Sequence, residues 1–135
     1  MYGATGERIA TETARGRVSR SRFPRKGTSP LGVRAVAAVA GWRGLPPQAL
    51  LQNRRGTKRL ALARQEAMYL MHVALSCSYA EVADHFGRDR TTVAHACSQV
   101  EDLRDAADYD LALDRLEAQL VAARRAGEAE DGAGR

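Results

Sequence analysis

Three hydrogen-bonding side chains, Arg90, Thr91 and Thr92, follow one another at the predicted start of a helix. Asp89 directly before them fits the N-cap position, because its carboxylate accepts the unsatisfied amides of a first turn. Gly87 provides the tight turn that precedes this cap. Helix-turn-helix proteins contact base edges and phosphates with such groups, at the start of a helix that follows a short helix and a turn. The sequence therefore predicts DNA contact by this helix.

The predicted helix, residues 89–104, has two chemically different faces. At 100° per residue, Thr91, His95 and Ser98 lie on a polar face, and its small side chains let the backbone approach DNA closely. The opposite face is apolar and is expected in the core; it comprises Val93, Ala96, Cys97 and Val100. One face therefore anchors the helix, and the other is left for a partner.

Two preceding helices are predicted to hold this helix in place. The first spans residues 60–75 and ends at Ser76-Cys77; its buried stripe is Ala63, Ala67, Leu70, Met71 and Ala74. The second spans residues 79–86 and begins with a capping box, in which Ser78 and Glu81 satisfy each other's backbone amides. Its buried residues are expected to be Val82, Ala83 and Phe86.

The chain before residue 53 is predicted to add two further helical pieces. Apolar residues recur at helical spacing from Leu31 onward, and Gly41 and Gly44 are expected to end this helix. Its apolar positions are Val33, Val36, Ala37, Ala40 and Trp42, and Trp42 is interpreted as a core anchor. Pro47 is expected to begin a short helix over residues 47–52, because proline is tolerated in a first turn.

A last helix is predicted over residues 109–125, with an apolar stripe of Tyr109, Leu113, Leu116 and Leu120. Acidic residues surround this stripe, so this end of the protein is expected to face away from DNA. The predicted fold class is all-α, a small helical bundle that contains a helix-turn-helix. The predicted organisation is a disordered basic tail over residues 1–30, a domain over 31–125 and a disordered tail over 126–135.

Charge is distributed unevenly along the chain. Residues 1–59 hold 13 Lys/Arg and two acids, a net charge of +11, whereas residues 60–135 hold 8 Arg and 14 Asp/Glu, a net charge of −6. This asymmetry indicates a polyanionic partner that approaches from one side. Arginine outnumbers lysine, and its planar fork suits phosphate and guanine; high-GC coding would favour arginine as well.

Two basic segments precede the helix-turn-helix. Residues 53–59 carry four positive charges and no apolar face; the charged residues are Arg54, Arg55, Lys58 and Arg59. Residues 15–26 carry six more, among Gly, Ser and Pro. Contact with a DNA backbone is one interpretation of these segments, and a solvated loop and tail is the other.

The sequence favours neither a membrane protein nor an enzyme. No apolar run reaches the ~18 residues of a membrane span, and no apolar segment follows the basic N-terminus as in a secretory signal. Cys77 and Cys97 suggest no disulfide framework, and no CxxC or HExxH spacing occurs. We therefore expect no catalysis, no metal, no cofactor, no membrane partner and a cytoplasmic, nucleoid-associated location.

Taken together, residues 31–121 resemble the C-terminal DNA-binding domain, domain IV, of the bacterial replication initiator DnaA. Any one matching piece would be unspecific, whereas all of them in order and at nearly the right spacing are specific. The pieces are Leu50-Leu51, Arg54-Arg55, Ala-Arg-Gln-Glu-Ala-Met-Tyr-Leu over residues 63–70, Phe86-Gly87-Arg88-Asp89, Thr91-Thr92-Val93 and His95-Ala96-Cys97. The resemblance implies the tryptophan-repressor-like fold of that domain and double-stranded DNA as the partner.

The resemblance also implies roles for individual residues. Arg55 matches an arginine that enters the minor groove, where the negative potential is enhanced. Asp89 and Thr91 match positions that read bases, and phosphate contacts are matched by Arg64, Gln65 and Thr92. The complete set of candidate DNA-binding residues is Arg54, Arg55, Lys58, Arg59, Arg64, Gln65, Arg88, Asp89, Arg90, Thr91, Thr92 and His95.

The sequence departs from the family pattern in informative ways. One glycine is missing before Arg88, and Arg90 stands where histidine is usual; because arginine prefers guanine O6 and N7, an altered target sequence is expected. The G-x-x-x-x-G-K-[ST] motif is absent. The resemblance then implies a stand-alone binder of DnaA-box-like sites that uses no nucleotide and modulates replication initiation or transcription. The resembled domain binds as a monomer, so a dimer is not required, and the oligomeric state is left open. The alternative is a protein-interaction module that keeps the fold but not DNA binding.

Overall fold

The computed structural model describes residues 26–52 and 56–133, with side chains described through residue 128. Over these residues the chain forms five α-helices, one short 3-10 helix and no strand. In chain order the helices are α1 (Pro30–Arg43), the 3-10 helix (Pro47–Leu51), α2 (Lys58–Val73), α3 (Tyr79–Phe86), α4 (Arg90–Leu103) and α5 (Ala107–Ala133). The all-α class predicted from the sequence is confirmed.

Helix α2 lies at the centre of the bundle, where it packs against both α1 and α4. Most of its predicted stripe is fully buried, namely Ala63, Ala67, Leu70 and Met71. The two alanines permit a close approach of the neighbouring helices, and each large apolar side chain contributes ~1.5–3 kcal/mol through its burial. Ala74 is only half-buried, and the helix ends at Val73 and not at the predicted residue 75.

Helix α1 buries only part of the predicted stripe: Val36 and Ala40 are buried as predicted, whereas Ala37 is exposed. Val33 is 51% exposed and Trp42 is 39% exposed, so Trp42 is not a core anchor. The Trp42 ring instead contacts Tyr109, with ring centroids 6.3 Å apart, and the guanidinium of Arg43. The buried apolar residues of α1 are Ala35, Val36, Val39 and Ala40. Their spacing of three and four residues defines the true stripe.

The ends of α1 are set by local hydrogen bonds and one glycine. The Ser29 hydroxyl accepts a hydrogen bond from the Gly32 amide at 3.3 Å, and Pro30 occupies the first turn. Gly44 ends the helix in the left-handed conformation at φ +68°, as glycine does without steric cost. The predicted helix end at Gly41 is wrong, because Gly41 lies inside the helix.

The predicted helix-turn-helix is confirmed in its local detail. Helix α3 spans the predicted residues and begins with the expected capping box: the Glu81 amide donates to the Ser78 hydroxyl at 3.1 Å, and the Ser78 amide donates to the Glu81 carboxylate at 2.9 Å. Gly87 ends α3 at φ +65°. Asp89 is the N-cap of α4. The turn therefore sets the start of α4 through contacts within a few residues.

Helix α5 covers the bundle and is longer than predicted. The predicted stripe is buried at Leu113, Leu116 and Leu120, whereas Tyr109 is half-buried. The helix continues to Ala133, beyond the predicted helix end at residue 125.

Candidate nucleic-acid interface

Asp89 caps α4 and fixes the geometry of its first turn. Its Oδ1 atom accepts a hydrogen bond from the Thr92 amide at 2.8 Å. Hydrogen bonds from the Thr92 backbone and hydroxyl lower the pKa of the Asp89 carboxyl below its usual range. Arg90, Thr91 and Thr92 are exposed at this helix end. Two threonines and an arginine therefore face solvent from a helix start whose backbone is already ordered.

The two predicted faces of α4 are confirmed. Val93, Ala96, Cys97 and Val100 are buried against the rest of the bundle. Thr91, His95 and Ser98 are exposed on the opposite face. Helix α4 therefore combines a fixed position with a polar surface that is open to a partner.

A cleft of about 240 Å³ lies between the first two turns of α4 and helix α2. Candidate residues from three parts of the chain line it, namely Arg64, Gln65, Arg88, Thr92 and His95. The remaining wall is apolar and consists of Ala61, Met68 and Ala96. Sequence reasoning did not include these three among the candidates, although Met68 and Ala96 lie one turn after Arg64 and Thr92 and so share their faces.

Arg64 is placed differently from the phosphate contact that the resemblance implies. It is only 7% exposed. Its Nε atom donates to the Leu50 carbonyl at 2.9 Å, and its Nη2 atom donates to the Gln52 carbonyl at 3.3 Å. Burial, followed by the nearby charge of Arg88, lowers the pKa of Arg64. These contacts hold the 3-10 helix against α2, which the sequence alone did not indicate.

Arg88 reaches the same carbonyl from the turn before α4. Its Nη2 atom donates to Gln52 at 3.4 Å. Its Nε atom is buried and has no hydrogen-bond partner within the described ranges. Gln65 is partly exposed and His95 is exposed along the same cleft. Polar groups from α2, the turn and α4 are therefore brought to one place.

The basic segment before α2 is only partly covered by the described residues. Arg54 and Arg55 lie outside them, so their groove and backbone contacts stay predictions. Lys58 is exposed at the first residue of α2. Arg59 is exposed as well, but its guanidinium donates to the Arg43 carbonyl at the end of α1. The structure therefore places Arg59 away from the cleft that gathers the other candidates.

Charge changes sign along α4. Arg88 and Arg90 lie at its beginning, and neither forms an ion pair with any residue of the described part. Glu101 and Asp102 are exposed at its other end. A helix of 14 residues is about 20 Å long. The beginning of α4 is thus the electropositive end, and the helix dipole adds to that potential.

The side of the bundle formed by α5 is acidic, and it neutralises an arginine. Arg104, whose side chain is 13% exposed, forms ion pairs with Asp110, Asp114 and Glu117. It also donates to the Tyr69 hydroxyl at 3.0 Å. These contacts tie the end of α4 to α5 and leave no excess positive charge there.

The described residues carry no arrangement typical of metal binding or of membrane insertion. Cys77 and Cys97 are free and buried, and burial raises the pKa of each thiol to about 11. No group of His, Cys, Asp and Glu in the described ranges is placed to hold a metal ion. None of the described helices combines the length and hydropathy that crossing a bilayer requires.

Comparison with known proteins agrees with this geometry. The family described as bacterial dnaA protein helix-turn-helix matches residues 34–100. A crystal structure of a DNA replication initiation factor is similar, with a TM-score of 0.61 and 33% sequence identity over 67% of this chain and 28% of that chain. The chain thus spans little more than a quarter of the length of that protein. Residues 34–100 of this chain are therefore similar to the bacterial DnaA helix-turn-helix family.

Proposed function

We propose that this chain binds double-stranded DNA in a sequence-specific manner, at sites similar to the DnaA box. Helix α4 enters the major groove with its first turn, because a helix fits a groove about 12 Å wide. Residues 53–59 contact the adjoining minor groove, where arginine is favoured by the negative potential. Thr91 and Arg90 face the base edges, and the Thr92 side of the cleft faces the backbone.

One observation carries this proposal: candidate residues from three separate segments meet beside the electropositive end of α4. Gln65, Arg88 and His95 line one cleft, and Arg90 and Thr91 are exposed next to it. A single duplex can touch all of these groups at once. Phosphate contacts fix the register of a protein on DNA, and base contacts then read the sequence.

We also propose a biological effect of this DNA binding. Binding at DnaA-box-like sites without nucleotide hydrolysis would modulate replication initiation or transcription, by occupying sites that an initiator also recognises. Such a role places the chain in the bacterial cytoplasm with the nucleoid. One monomer is sufficient, because the proposed surface lies within one chain and requires no two-fold partner.

Selection of bound sequences from a random duplex pool, followed by fluorescence anisotropy with the recovered duplex, tests the proposal. With about six phosphate contacts, the logarithm of affinity should fall with the logarithm of salt concentration at a slope of about −5. A flat salt dependence would contradict DNA binding as proposed. Absence of binding to any duplex at low salt would favour the protein-interaction alternative.

A matched pair of arginine variants tests the placement of the surface. Arg90→Ala should weaken binding to the recovered duplex by about tenfold or more, because a bidentate base contact is worth ~1–3 kcal/mol. Arg115→Ala removes an arginine that is also exposed, on α5, and the affinity of this variant should stay within about twofold of that of the original chain. Equal losses of affinity in the two variants would mean that the DNA-binding surface lies on another side of the protein.

A further inference from the structure

The segment that precedes α1 is docked on the last turn of α3, the first helix of the helix-turn-helix. The Gly27 amide donates to the His85 carbonyl at 2.8 Å, and the Ser29 amide donates to the Nδ1 atom of the His85 ring at 3.3 Å. His85 itself is only 1% exposed. One buried residue of α3 therefore holds residues 27–29 through both its backbone and its ring.

The His85 ring is also enclosed by the start of α1. A Cβ atom placed on Gly32 would lie only 2.5 Å from the Nε2 and Cδ2 atoms of the ring, so no larger residue fits there without displacement. Nε2 is buried and has no hydrogen-bond partner within the described residues. Burial lowers the pKa of His85, against the opposite effect of the Asp84 charge. The ring is therefore neutral at neutral pH, and its Nδ1 atom can accept the Ser29 amide.

The docked segment brings a lysine to the turn that begins α4. Gly87 ends α3, and a Cβ atom placed on it would lie 3.0 Å from the Cδ atom and 3.6 Å from the Nζ atom of Lys26. Lys26 is exposed. Since Gly87 directly precedes Arg88 and the Asp89 cap, the Lys26 ammonium lies beside the electropositive end of α4. This is the end that the DNA backbone approaches in the proposed complex.

We propose that Lys26 contacts a DNA phosphate beside α4, and that His85 is the positioning residue that holds it there by docking residues 27–29 on α3. This inference rests on the proposed function, in which the first turn of α4 enters the major groove. A lysine on an undocked segment would lose conformational freedom on binding DNA, whereas docking places the ammonium in advance and lowers that cost. The contributions of Lys26 and His85 to affinity should therefore be coupled.

A double-mutant cycle between Lys26 and His85 tests this coupling. His85→Leu replaces the ring by an apolar side chain and removes the acceptor of the Ser29 amide, whereas His85→Asn keeps an acceptor oxygen near the position of Nδ1. Affinity for the recovered duplex is measured by fluorescence anisotropy at several salt concentrations in each His85 background, with and without Lys26→Gln. Lys58→Gln in the same backgrounds is the matched control, because Lys58 is an exposed lysine at the start of α2.

Lys26→Gln should weaken binding about eightfold at ~0.1 M salt and make the salt slope less steep by about 0.9, as for one lost phosphate contact. In the His85→Leu background the same substitution should cost less than about twofold, because the lysine is no longer held in place. In the His85→Asn background it should again weaken binding about fivefold or more, since the acceptor is restored. The loss from Lys58→Gln should be equal in all three backgrounds.

The inference is overturned if Lys26→Gln changes neither the affinity nor the salt slope, or if its effect is the same in the original chain and beside His85→Leu. A Lys58→Gln effect that also disappears beside His85→Leu would indicate a general loss of structure and would overturn the positioning role as well.

Should His85→Leu melt well below the original chain, Gly32→Ala takes its place in the cycle, because the added methyl group displaces the ring and leaves His85 itself unchanged. It is judged by the same comparison with Lys26→Gln. If the original chain binds no duplex, the proposed function fails. If it binds duplex and only the coupling between Lys26 and the docking is absent, the positioning role alone fails.

Discussion

Removal of the Arg43 guanidinium would leave a carboxylate inside the bundle without its counter-ion. Glu66 of α2 is fully buried. Arg43 donates its Nε to Oε1 at 2.9 Å and its Nη2 to Oε2 at 2.5 Å, and the Tyr109 hydroxyl donates to Oε2 at 2.6 Å. These bonds join α1, α2 and α5 at one point. Arg43→Ala removes the two charge-assisted bonds and leaves Tyr109 as the one remaining donor among these partners.

The expected cost follows from the burial of the two partners. Breaking a buried ion pair by removing one member costs ~3–5 kcal/mol, because the other charge stays buried. The Arg43 side chain is 24% exposed, so water reaches that side, and a loss of ~3 kcal/mol is appropriate. The guanidinium also lies 4.1 Å from the Trp42 ring centroid, which adds ~0.5 kcal/mol. Since domains have total stabilities of ~5–15 kcal/mol, Arg43→Ala should be folded but much less stable.

Urea denaturation followed by circular dichroism at neutral pH measures this loss. Adding Glu66→Gln to Arg43→Ala should recover about half of the loss or more, because the amide carries no charge to leave unpaired. Arg115→Ala, on the exposed side of α5, should change stability by less than ~0.5 kcal/mol. A loss below ~1 kcal/mol for Arg43→Ala, or a double variant less stable than the single one, would refute the reasoning.

Three further predictions concern titratable groups. Burial lowers the pKa of His85 from 6.5, so the unfolded chain takes up a proton at a higher pH than the folded chain does. The urea concentration at the unfolding midpoint should therefore fall as the pH is lowered from about 7 to about 5, and it should fall less in His85→Gln. The pKa of Asp89 is lowered in the folded state, so the ionised carboxylate stabilises the fold at neutral pH, and this stabilisation is lost as the pH falls through the lowered pKa. Asn can also cap a helix but does not titrate, so the melting temperature of Asp89→Asn should depend less on acid than that of the original chain. Cys77 and Cys97 have thiol pKa values of about 11, so roughly one thiol in a thousand is ionised at about pH 8. Disulfide reagents should therefore label both cysteines slowly until urea unfolds the chain. Fast labelling of the folded protein would contradict their burial.

The helix-turn-helix was predictable from the sequence because its determinants are local. The Ser78–Glu81 capping box and the Asp89 cap each act over three residues, and the Gly87 turn needs no distant partner. Residue types alone therefore predicted α3 and the start of α4, and with them the exposed residues of the candidate site.

Contacts between residues far apart in the sequence were not predictable in the same way. The Arg43–Glu66 pair spans 23 residues and the Tyr109–Glu66 bond spans 43, so no periodicity within one helix indicates them. The family resemblance implied a phosphate contact for Arg64, whereas its guanidinium donates to backbone carbonyls, which every residue type carries and no sequence pattern marks. Trp42 was assigned to the core because it follows the helical spacing of the apolar residues, although its indole is exposed and lies beside Tyr109 and Arg43.

The structure separates the arginines that shape the fold from the cations available to DNA. Arg43 and Arg104 are paired with acids in the described part, and Arg64 is buried against backbone carbonyls. Lys58 is exposed at the start of α2, and Arg90 is exposed at the start of α4. Two cations that contact phosphates support a slope of only about −2 for the logarithm of affinity against the logarithm of salt concentration, whereas six phosphate contacts require a slope of about −5. If the proposed complex makes six such contacts, the remaining charge neutralisation is expected from Lys26, Arg54, Arg55 and the arginines of residues 15–25. In that case the helices would supply register and base reading, and the basic segments would supply affinity.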